Sequence, residues 1–116
     1  MTKLSAFAMS MFAFASSASA QAFNYDGSWA ETSKICSATN TDIVPMRISG
    51  TTIHFYESNC ELTDPVSIRG MNGHLVDFLC SGEGETWSLR GLLLLNIDGT
   101  LTLSFDERTS VLERCE

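Results

Sequence analysis

Apolar and polar residues alternate in short runs along most of the chain, and the runs are separated by glycine-bearing turns. Leu101, Leu103 and Phe105 alternate with Thr100, Thr102 and Ser104, the period-two pattern of a strand buried on one face. Met46 and Ile48 share a parity before Ser49-Gly50-Thr51, and Ile53 and Phe55 share one after it, so residues 46–57 predict a hairpin. Val66 and Ile68 lead into Gly70-Met71-Asn72-Gly73, where Asn72-Gly73 is the stronger turn signal because both residues tolerate positive φ. His74 to Cys80 predicts the returning strand. From Thr86 to Ile97, Trp87, Leu89, Leu93, Leu95 and Ile97 lie on one parity, with Leu92 and Leu94 on the other. That predicts a long strand covered on both faces in its second half, with a bend or bulge at Gly91. Asp98-Gly99 turns it into the strand ending at Phe105. Val111 to Cys115 predicts a last strand closing against the first, which begins near Trp29. Residues 31–40 have no clean period and predict a short helical turn ending near Cys36, followed by a polar loop over 37–42.

These runs amount to seven or eight short strands with turn signals roughly every 8–12 residues. No sustained helical period competes with them. Tight turns between consecutive strands make a meander the economical topology. The expected fold is all-β: a small, mostly antiparallel meander curled into an open barrel or sandwich, centred on the stretch from Leu79 to Phe105.

The first residues change the picture of domain and compartment. Lys3, the apolar run from Leu4 to Ala15 and Ala18-Ser19-Ala20 form the three regions of a cleaved signal peptide over 1–20. The run is shorter than the roughly 20 apolar residues that a membrane span needs. One domain, 21–116, is then expected in the periplasm or secreted. Cys36, Cys60, Cys80 and Cys115 all fall in that domain, and an even number in a small exported chain predicts two disulfides. Structural zinc sites use closely spaced cysteine pairs, which this chain lacks. A meander favours Cys36–Cys60 with Cys80–Cys115, since Cys36 and Cys60 would each finish an upward strand. The nested pairing, Cys36–Cys115 with Cys60–Cys80, competes with it.

Seven Lys and Arg, less Lys3, against fourteen Asp and Glu leave the exported domain with a formal charge of −8. That charge repels nucleic acid and anionic membrane surfaces and favours encounter with a basic protein partner.

Candidate chemistry is sparse. Gly82-Glu83-Gly84-Glu85 lacks the lysine and the following helix of a phosphate loop, and it reads as a tight acidic turn. His54 and Glu57, three apart on a strand, point to opposite faces, and His74 stands alone, so no metal or other cofactor is expected. Glycoside chemistry would need Glu57, Glu83 or Glu85 across a cleft about 5–10 Å wide. Neither a nucleophile elbow nor a Ser-His-Asp ordering stands out. No catalytic residue is assigned.

Gly27-Ser28-Trp29, Cys36, Tyr56-Glu57-Ser58-Asn59-Cys60, Cys80-Ser81-Gly82-Glu83-Gly84-Glu85-Thr86-Trp87 and Arg114-Cys115 together resemble a set of small exported bacterial proteins built on four cysteines. The resemblance spans nearly the whole exported domain and brings no activity with it. It implies a shared four-cysteine scaffold, with an exposed Glu-Ser-Asn or Gly-Glu-Gly-Glu segment as the working surface.

The expected function is a protein-binding or inhibitor-like module of the cell envelope, using a surface of Glu57, Asn59, Glu83 and Glu85. A small apolar-ligand carrier, with Trp29, Phe55, Trp87 and Phe105 lining a barrel mouth, is the alternative. A hydrolase or metal-dependent enzyme ranks third.

Overall fold

The computed structural model describes residues 24–37 and 44–115; the expected signal peptide and most of the polar loop after Cys36 lie outside them. Eight strands follow in chain order: β1 (Gly27–Ala30), β2 (Met46–Ser49), β3 (Thr52–His54), β4 (Asn59–Ser67), β5 (Gly73–Gly82), β6 (Glu85–Leu95), β7 (Leu101–Phe105) and β8 (Arg108–Cys115). One short helix, α1 (Ser33–Cys36), separates β1 from β2. Every strand pairs antiparallel with its sequence neighbour, and β8 pairs with β1, so the meander closes into a barrel. Closure answers the barrel-or-sandwich alternative. It also pairs the first and last strands, as the sequence pattern predicts.

The period-two pattern decides the interior. Trp29, Met46, Ile48, Ile53, Cys60, Leu62, Val76, Phe78, Cys80, Leu93, Leu101, Leu103 and Leu112 alternate inward and form the core. Side chains fill an eight-stranded barrel of this kind. Trp29 is 0% exposed inside it. Tyr25, just before β1, crosses the end of the barrel that carries the β4–β5 and β6–β7 turns. Its hydroxyl hydrogen-bonds His74 Nδ1 at 2.6 Å and donates to the Leu93 carbonyl at 3.2 Å. Burial pushes its phenol up to about 12.

Three local expectations give way. Gly91 makes no bulge: the β5–β6 ladder runs without a register shift from Gly73↔Leu94 to Gly82↔Glu85. The irregularity lies instead between Thr63 and Val66 of β4, where Asp64 has positive φ. Gly91 is needed for space, because a Cβ there would meet the Phe105 ring at 2.8 Å and the Phe78 ring at 2.9 Å. Those rings pack edge to face with centroids 5.1 Å apart. Gly91→Ala is therefore expected to cost about 1–3 kcal/mol by overpacking, read from chemical denaturation. Ile97 is not part of the strand's apolar stripe; β6 ends at Leu95, and Ile97 is fully exposed in the following turn. Trp87 and Leu89 are exposed as well, at 39% and 42%.

The disulfides are Cys36–Cys115 and Cys60–Cys80, the nested pairing, and not the favoured Cys36–Cys60 and Cys80–Cys115. Cys60 does not finish an upward strand; it opens the downward strand β4 and is the direct register partner of Cys80 on β5. Cys36 is carried back by α1, which packs against β1 and β8, to the end of the barrel where Cys115 faces Ser28. All four cysteines are bonded, the pattern of an oxidising, extracytoplasmic environment. No described helix is long and apolar enough to cross a membrane.

Candidate functional site

The β3–β4 and β5–β6 turns rise side by side at one end of the barrel. Their contact depends on Gly82, where a Cβ would lie 2.5 Å from the Glu57 carbonyl oxygen and 2.9 Å from the Ser58 Cβ. Any larger residue would push the turns apart. The β5–β6 turn reverses at Glu83 and Gly84, with φ of +49° and +77°. Only Gly84 takes that conformation without steric cost.

This packing brings Glu57 and Glu83 together. Their side chains hydrogen-bond, and that bond, with their mutual repulsion, raises the Glu57 carboxyl above the ordinary carboxylate range. The bond needs a proton, so a raised folded value means that the contact is complete at low pH. It is lost as pH rises through the folded value of Glu57. The side-chain carboxyl of Glu57, followed by NMR, is expected to titrate above an ordinary glutamate. In Glu83→Ala it should return to the ordinary range.

Glu85 faces Gly82 across the same turn and is exposed. Asn59, beside Ser81 in the β4–β5 ladder, accepts at its Oδ1 a 2.6 Å hydrogen bond from His54 Nδ1–H. The two expected segments, Glu57 to Asn59 and Gly82 to Glu85, thus form one rim. Tyr56 is exposed on it next to Glu57, an aromatic that the sequence reading left unassigned. His54 turns to Asn59 and not to Glu57, and His74 turns inward to Tyr25. Glu57 and Glu83 meet on the exposed rim and not across a cleft. Among the described residues no group of three or more His, Cys, Asp or Glu could hold a metal ion.

Of the four residues expected to line a barrel mouth, Phe55 and Phe105 do so, with Met46, Leu103 and Leu112, around an opening of about 280 Å³. Glu31 and Arg108 form an ion pair at 3.3 Å at that opening. Trp29 is inside the core and Trp87 stands on β6 beyond the mouth. At the opposite end, Met71, Leu94 and Ile97 contribute to an open groove of about 700 Å³ between the β4–β5 and β6–β7 turns.

No protein-family model, curated protein or solved structure matches the chain.

Proposed function

We propose that the protein is a binding module of the cell envelope, exported to the periplasm or beyond, that engages a basic protein through the rim of Glu57, Asn59, Glu83 and Glu85. The observation that carries this reading is the packing of the β3–β4 turn on the β5–β6 turn at Gly82, which brings Glu57 and Glu83 together. Two turns distant in sequence, packed together at Gly82, bring these two side chains to one place in the open, where at neutral pH their carboxylates repel. A cationic side chain placed between them would relieve that repulsion, as would uptake of a proton. Tyr56 beside the pair supplies an amphipathic contact of the kind enriched in interfaces. Loops on a rigid closed barrel suit the inhibitor-like mode, in which a preformed rim meets its partner with little rearrangement.

Capture of proteins from periplasmic extract on immobilised protein, at low and high salt, tests the reading. Retention is expected to fall with salt and to weaken by about three- to tenfold when Glu57 and Glu83 are both changed to Gln, chiefly through slower association. A set of captured proteins indifferent to both changes would sink the reading.

A further inference from the structure

β6 is much longer than the strand beside it. Its ladder with β5 covers Glu85 to Leu94, but its ladder with β7 covers only Leu92 to Leu95. From Glu85 to Arg90, β6 therefore has one edge with no partner among the described residues. The direction of its backbone groups follows from two hydrogen bonds at its far end. Leu95 N–H donates to the Asn72 carbonyl, toward β5, whereas Asn96 N–H donates to the Thr100 carbonyl, toward β7. Alternating back along a ladder without a register shift, Trp87 and Leu89 turn their N–H and C=O to β5. Thr86, Ser88 and Arg90 turn theirs to the open edge.

Exposed edges are normally blunted by lysine, proline, a bulge or a cover. Among the described residues none of these guards this one. Arg90 is drawn over the sheet by Asp77 on β5, at 2.9 Å. Trp87 and Leu89 project from the face of their register partners Cys80 and Phe78, and both are exposed. Glu83 and Glu85 stand at one end of the vacant lane, and Asp106 and Glu107, in the β7–β8 turn, at the other.

We infer that the open edge of β6 at Thr86, Ser88 and Arg90 receives an extended segment of the basic partner as an added antiparallel strand. Apolar side chains of the segment cover Trp87 and Leu89, and cationic ones lie at its two ends. The inference rests on the proposed binding function and names its mode. Charge decides the occupant. A second copy added antiparallel about Ser88 would set Glu83 and Glu85 of each chain against Asp106 and Glu107 of the other. A basic segment meets acid at both ends instead.

The test is amide hydrogen exchange on the intact protein with the peptide acetyl-Lys-Val-Thr-Val-Thr-Val-Lys-amide. Exchange at Thr86, Ser88 and Arg90 is expected to slow by about tenfold or more at saturation, while Trp87 and Leu89, already bonded to β5, stay unchanged. Ser88→Pro removes an outward N–H at a position where an edge strand tolerates proline, and should abolish the effect. The peptide with its central amides N-methylated should fail on the unaltered protein, which keeps the test sound if Ser88→Pro does not fold. The inference is overturned by any of four results: no slowing, equal slowing by the methylated peptide, equal slowing by a peptide with Glu for Lys, or protection of these three amides in the free protein at all concentrations. Protection that grows with protein concentration would assign the edge to a second copy and overturn it likewise. Salt-dependent capture lost in the Glu57 and Glu83 variants but kept in Ser88→Pro would leave the rim reading standing and remove only the edge.

Discussion

Replacing Cys36 and Cys115 together by serine is expected to lower stability by about 4–5 kcal/mol, and replacing Cys60 and Cys80 by alanine by about 3 kcal/mol from chain entropy alone. The difference follows from the loops: the first bond closes a separation of 79 residues, the second only 20. In the denatured chain the longer link removes more freedom. The second pair adds a cost of another kind. Cys60 and Cys80 are buried facing partners in the core, so their truncation also removes packed sulfur and can bring the two losses level. Cys36–Cys115 fastens α1 to the last strand outside the core, where Cys36 and Cys115 are only partly buried. Urea denaturation of each double variant, beside the intact protein, measures both. A domain of this size holds only a modest margin, so either loss is expected to leave a detectable unfolded fraction near body temperature. Peptide mapping without reduction should recover Cys60 linked to Cys80. Recovery of Cys36 linked to Cys60 would refute the nested pairing and the closed order of strands with it.

The error over the disulfides shows where local pattern stops being informative. Alternation along 101–105 and 46–54 places strands and faces because it reflects burial of individual residues: Met46, Ile48, Ile53, Leu101 and Leu103 all turn inward, although β3 stops at His54, short of the expected 57. Pairing of cysteines depends on which strand stands beside which, and on direction. Cys60 lies at the first turn of a strand and not at the last of one, a shift of a few residues that period two cannot see. Gly91 fails for a related reason. A glycine in a strand marks either a bend or a close approach, and the Phe105 ring that requires it belongs to another strand. The acidic turn was legible as a turn because Gly84 carries its own conformational signature. Its contact with Glu57 was not, since Gly82 looks like any turn glycine until the β3–β4 turn is set against it. The open edge of β6 has a faint signal in the sequence: a strand of eleven residues followed by one of five cannot be paired along its whole length.

Trp29→Ala is expected to cost about 3–5 kcal/mol, the largest loss from any single side chain in the barrel. Trp29 has the greatest volume of the fully buried side chains, and its ring makes two specific interactions. Its Nε1–H donates to the Tyr25 carbonyl at 2.9 Å, which fixes the segment that closes one end of the barrel. The Arg114 guanidinium lies 4.3 Å from the ring centroid, and Trp29 and Arg114 are register partners of β1 and β8. Arg114 in turn donates to the Asp26 carbonyl at 2.8 Å. The ring, the cation and the residues before β1 therefore support the seam where the first strand meets the last. Trp29→Phe keeps most of the buried area and loses the donor, so about 1–2 kcal/mol is expected. A double-mutant cycle of Trp29→Phe and Arg114→Ala should return a coupling of about 0.5–1 kcal/mol for the cation over the ring. Additive losses would reduce Arg114 to a bystander of the seam. Because β1 has only four residues, a weakened seam should also show as faster amide exchange in β1 before the rest of the barrel opens.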